Sequence, residues 1–153
     1  MTDQAPVATS RARGRWVRGP RSEVVVRRFD PIVVDEPVSM GGTDTAPRPT
    51  EYLLAAYSGC TVVVAERLAE ESGFEFSALE TDFRGSLDPR GIAGVEGFDP
   101  QFHTVTGRVV VTTDESDQRL QEFAAEVARR CPLHQTIQRA GATMDIRWEA
   151  VRS

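Results

Sequence analysis

Lysine is absent from this chain of 153 residues: all 18 basic residues are arginine. Without it there is no internal Schiff base, no pyridoxal anchor and no Walker-type phosphate-binding lysine. Cysteine and histidine are nearly as scarce, at two each. A four-cysteine zinc site within one chain is therefore excluded. Two thiols are also too few for a disulfide framework, and a chain of this length buries about 68–70% of its unfolded surface without one. No apolar run approaches the ~18 residues of a membrane helix. The N-terminal stretch MTDQAPVATSRARGR has no apolar h-region of a secretory signal. The expectation is a cytoplasmic chain with no membrane partner.

Apolar residues make up 40% of the chain and charged ones 27%, the balance of an ordinary globular protein. A disordered N-terminal arm over residues 1–12 and a single domain over 13–153 are expected. Charge is uneven. Residues 1–28 carry seven arginines against Asp3 and Glu23, a balance of +5, whereas the other eleven arginines face 21 acids, a balance of −10. The acidic remainder repels phosphate, and Trp16 is the one aromatic residue among the arm's arginines, so no nucleic-acid partner is expected. A basic strand docked on an acidic body accounts for the same pattern.

Residues 15–35 read as a meander of short strands, punctuated by Gly19-Pro20 and Asp30-Pro31. Residues 37–49 read as a loop. A helix over 50–72 follows, with Pro49 and Thr50 at its start and Gly73 at its end. Leu53, Ala56, Tyr57, Cys60, Val63, Val64 and Leu68 form its apolar stripe, which Ala55, Val62 and Ala65 widen almost around the rod. Such a helix belongs at the centre of a core or in a subunit interface. Strands are expected at 74–84, 103–113 and 143–151, with a mobile loop at 85–101. A second helix, 116–131, has Ser116 as its N-cap and Pro132 as its stop. Strands and helices do not alternate strictly, which favours an α+β fold.

Cys60 lies mid-stripe on the first helix, and Cys131 is the last core-facing residue of the second. Each alone reads as an inert buried thiol. Facing across a helix pair, the two would reach disulfide distance. Cys131-x-x-His134 is half of a metal site that Cys60 and His103 would have to complete, and the plainer role for His134 is a cap or turn beside Pro132.

The stretch DEPVSMGGTDTAPRPTEYLLAAYSGC, from Asp35 to Cys60, has an Asp-Glu-Pro before Gly41-Gly42. Pro49 lies eleven residues before the cysteine, and a Leu-Leu-Ala-Ala run leads into Ser-Gly-Cys. About seventy residues on comes Cys131-Pro132-Leu133-His134, after a helix. Together these features resemble the OsmC/Ohr superfamily, the osmotically inducible protein C and organic hydroperoxide resistance proteins. The resemblance implies an α+β fold in which antiparallel sheets wrap two central helices in an intertwined homodimer. It implies a thiol peroxidase needing no metal or organic cofactor, acting on organic and fatty-acid hydroperoxides. Cys60 would be oxidised to sulfenic acid, and Cys131 would close a disulfide that an external dithiol, lipoyl-type in some members, then reduces.

The pattern also departs from that family. Its hydroperoxidases carry a Glu directly after the proline, paired with an Arg that touches the reactive thiolate. Here that position is Thr50, and the acid is Glu51, turned about 100° round the helix. The family's Arg position falls on Gly19, flanked by Arg18 and Arg21. Arg21 is the assigned cation, with Arg48 as a further candidate. The cation matters because an ordinary thiol, with a pKa of about 8.5, is only a few per cent thiolate near pH 7. Thr50 and Glu51 lie about 15 and 13.5 Å from Cys60 along a continuous helix axis. Either the helix is broken near its start or, as favoured here, the acid meets Cys60 of the other chain. The rival reading is a non-catalytic dimer that senses thiol redox state or binds an apolar small molecule.

Overall fold

The computed structural model describes residues 7–152, so the first half of the expected arm, residues 1–6, lies outside the described residues. Among the described residues are six strands, four α-helices and one 3-10 turn (Val38–Met40): β1 (Ala12–Arg18), β2 (Arg21–Val26), β3 (Ile32–Val34), α1 (Pro49–Ser72), β4 (Ala78–Leu87), α2 (Pro89–Ile92), β5 (Phe102–Thr112), α3 (Asp117–Arg130), α4 (Pro132–Arg139) and β6 (Thr143–Val151). The fold is mixed α+β, as the segment pattern implied. Among the described residues no helix is long and apolar enough to cross a membrane. The chain divides into two compact units, Met1–Tyr52 and Leu53–Ser153.

The first unit is the expected meander, an antiparallel sheet in the order β1-β2-β3. Gly19 turns the first hairpin at φ 48°, a conformation that glycine adopts without strain. The loop after β3 is organised around Asp35, which is fully buried. Its carboxylate accepts hydrogen bonds from the Glu36, Thr43 and Thr45 amides and from the Thr43 and Thr45 hydroxyls. Gly42 permits this wrapping: a Cβ there would sit 1.8 Å from the Glu36 carbonyl oxygen.

In the second unit the sheet order is β4-β5-β6. β4 and β5 are antiparallel, but β6 runs parallel to β5, where the family resemblance implied antiparallel sheets. The cause is topological. α3 and α4 both lie between β5 and β6, and a crossover of that length returns the chain to the same end of the sheet. One sheet face is apolar, with Leu79, Phe83, Val105, Val109, Val111, Ile146 and Trp148 in the core clusters. The other presents Asp82, Arg84, Arg108, Asp145, Arg147 and Glu149. Both hydrophobic clusters are built from second-unit residues. In one, Phe123 stacks on Phe74 at 4.0 Å and meets Trp148 edge-on at 6.1 Å.

Four expectations change in detail. The strand expected at 74–84 is β4, starting at Ala78, because Phe74 turns into the core directly after Gly73 ends α1. The expected mobile loop holds a helical turn, α2, capped by Asp88 and clasped by Arg90, whose guanidinium lies 3.7 Å from the Phe98 ring centroid. Pro132 ends α3 as expected but also opens α4, because a missing N–H costs nothing in a first helical turn. On α1 the buried residues are Tyr57, Thr61, Ala65 and Leu68, while Leu53, Val62 and Val63 are exposed.

Candidate active site

α1 carries Tyr57 and Cys60 one turn apart, and the break between α3 and α4 carries Cys131 and His134. The extended backbone of Cys131 (φ −75°, ψ 112°) lets its side chain cap α4, with Sγ accepting from the His134 amide at 3.5 Å. The same geometry turns Sγ toward α1, where it lies 3.1 Å from Cys60 Sγ, donating its proton to it. Both cysteines are free thiols. Cys60 is half-buried and Cys131 is 1% exposed.

Tyr57 anchors the arrangement. Its ring stacks on Phe83 at 4.4 Å, and its hydroxyl shares a 2.9 Å hydrogen bond with His134 Nδ1. Phe83 can take that position because its β5 neighbour is Gly107, where a Cβ would lie 2.7 Å from the Phe83 ring. A Ser58–Thr81 hydroxyl contact ties α1 to β4 beside the stack.

Burial sets the protonation states. It pushes the Cys131 thiol up from 9.0 to about 11, and the hydrogen bond to Cys60 adds to the shift. It raises the Tyr57 phenol in the same direction, with the nearby Cys131 charge contributing. It lowers His134, so the imidazole is neutral at pH 7. At neutral pH Cys131, Tyr57 and His134 therefore form an uncharged cluster.

The structure brings together two of the four assigned residues, Cys60 and Cys131. Arg21 lies in the first unit, with Nη1 3.7 Å from the Asp35 carboxylate and hydrogen-bonded to Thr45 Oγ1. Glu51 occupies the third position of α1. There it accepts from the Arg48 amide at 2.9 Å and pairs with the Arg48 guanidinium at 3.0 Å, the capping-box arrangement that satisfies a helix-start N–H. That amide bond, foremost, lowers the Glu51 pKa. α1 is continuous through this region. His134, expected as a cap or turn beside Pro132, is a buried part of α4. Among the described residues no three His, Cys, Asp or Glu side chains gather to hold a metal. Tyr57 was legible only as a core residue. Its position one turn before Cys60, with His134 three after Cys131, was the available signal.

A comparison with curated proteins finds no sequence match. Among solved structures, an OsmC-like protein from Mycoplasma pneumoniae is 18% identical with a TM-score of 0.82, over 94% of this chain and 98% of its own. An organic hydroperoxide resistance protein OsmC from Legionella pneumophila is 16% identical with a TM-score of 0.75, over 95% and 99% of the two chains. The organic hydroperoxide resistance protein OhrB of Bacillus subtilis is 19% identical with a TM-score of 0.62, over 94% and 98%. The family model described as OsmC-like protein matches residues 42–147.

Proposed function

Because the chain belongs to the OsmC-like protein family, we propose that it is a thiol-dependent peroxidase that reduces organic hydroperoxides. The observation that carries this reading is the 3.1 Å approach of the Cys60 and Cys131 sulfurs, with Cys60 the more accessible of the two. The Cys60 thiolate attacks the distal peroxide oxygen. The O–O bond breaks, Cys60 becomes a sulfenic acid, and the alkoxide takes a proton to leave as an alcohol. Cys131 then attacks the Cys60 sulfur. The S–S bond forms, the S–O bond breaks, and the Cys131 proton leaves with the hydroxyl as water. An external dithiol reduces the disulfide.

The cytoplasmic working form in this reading is a homodimer. Trp16, Phe29 and Ile32 of the first unit are exposed. Val62 and Val63 of α1 are likewise uncovered. Apolar area of this kind marks an interface. In such a dimer Arg21 is the proposed cation for the Cys60 thiolate, with Glu51 as the accompanying acid. Arg21 and Arg48 both hold acids of their own, Asp35 and Glu51. That observation favours the thiol-redox sensor as the second reading.

The test is turnover of cumene hydroperoxide with a dithiol. Cys60→Ser should abolish it. Cys131→Ser should consume one equivalent and stall with a dimedone-reactive sulfenic acid on Cys60. Normal turnover by Cys60→Ser removes the mechanism. Reversible disulfide formation in the unmutated protein without turnover establishes the sensor instead. Arg21→Ala and Glu51→Ala should each slow the first step, and unchanged rates would move the cation to Arg18 or Arg48.

A further inference from the structure

A cavity of about 250 Å³ lies within the second unit, between α1, α3, α4 and β6. Tyr57, Cys131 and His134 line it together with Ala128, Met144 and Trp148. Cys60 is not part of that wall. We propose that this cavity is the reductant site, where a small dithiol attacks the Cys131 sulfur of the oxidised Cys60–Cys131 pair. The inference rests on the disulfide of the proposed function but adds which sulfur is attacked and from where.

Three features point the same way. Thiol–disulfide exchange is an in-line displacement, in which the attacking, attacked and leaving sulfurs are close to collinear. A nucleophile held in a cavity that Cys131 lines and Cys60 does not meets Cys131 first. Leaving-group chemistry agrees, because burial disfavours the charge on a departing thiolate. Attack on Cys131 expels the half-buried Cys60, whereas attack on Cys60 would expel a thiolate at the buried position. Size is the third feature. The volume equals about eight waters at roughly 30 Å³ each, which suits a short-chain dithiol and not the active-site loop of a protein reductant.

The electrons balance without a further reagent. The first reductant thiolate bonds to Cys131, the Cys131–Cys60 bond breaks, and Cys60 takes that thiol's proton. The second reductant thiol attacks the reductant sulfur of the mixed disulfide. A cyclic disulfide forms, and Cys131 takes the second proton.

The experiment forms the disulfide with diamide, which requires no peroxidase activity. The oxidised protein is then exposed briefly to 2-mercaptoethanol, quenched in acid, alkylated with N-ethylmaleimide and mapped by peptide mass. The expected product carries the mercaptoethanol adduct on Cys131 and the maleimide on Cys60. An adduct on Cys60 overturns the inference and leaves the peroxidase reading intact. Failure of diamide to form the disulfide removes both. In parallel, Ala128→Phe, which fills the cavity, should slow reduction by dithiothreitol about ten-fold or more, and an unchanged rate refutes the site. Should Ala128→Phe not fold, Ala125→Phe on the same wall, at an exposed position, makes the same test.

Discussion

Raising the pH of the fully reduced protein should weaken it through Cys131. Both thiols of the site are free, and burial of Cys131, at 1% exposure, pushes its thiol up from 9.0 to about 11. Below pH 9 the folded and unfolded chains both carry the proton, so the full stability is present. Between pH 9 and 11 the unfolded chain releases the proton and the folded chain does not, so stability falls with rising pH. Above 11 the folded thiol ionises too and the loss levels off. A gap of about two units sets the total at about 3 kcal/mol. The assay is urea unfolding of the reduced protein from pH 8 to 11.5, repeated on Cys131→Ala. The variant starts from a lower stability because of the methyl-sized void it leaves, so the slope is the quantity to compare. The unmutated protein should lose about 2–3 kcal/mol more than the variant across that range. Parallel curves would refute the claim that the buried thiol, rather than general alkaline charging, controls the window.

Phe123→Ala removes the ring that stacks on Phe74 and meets Trp148, and should cost about 3–5 kcal/mol in urea unfolding. Gly42→Ala places a methyl against the Glu36 carbonyl, and should cost about 2 kcal/mol or more, whereas Gly41→Ala, with no atom within 4 Å of its added Cβ, meets only its φ of 82°. Glu51→Ala loses the cap on the Arg48 amide and should lower stability by about 1 kcal/mol, while Glu51→Gln keeps most of it. Light scattering at micromolar concentration should give twice the 16.9 kDa chain mass, and a stable monomer would remove the dimer.

The secondary structure was largely written in local chemistry. Proline and serine at helix starts, Gly73 at a helix end and period-two alternation along β6 act over a few residues, so the sequence by itself determined α1, α3 and β6 within a residue or two. The two cysteines were also legible, because each sits on the apolar face of its helix and each belongs to a recognisable motif. What the sequence could not determine were relations between distant segments. Nothing local says that β6 returns parallel to β5, that Gly107 makes room for Phe83, or that Phe83 in turn seats Tyr57 against His134. Nor does an acid three residues into α1 announce whether it serves chemistry or caps the helix. Pro132 shows the division most plainly. Its missing N–H dictated an end to α3, but the same residue suits a first helical turn, and only the packing of His134 and Ile137 into the core decided that a new helix begins there.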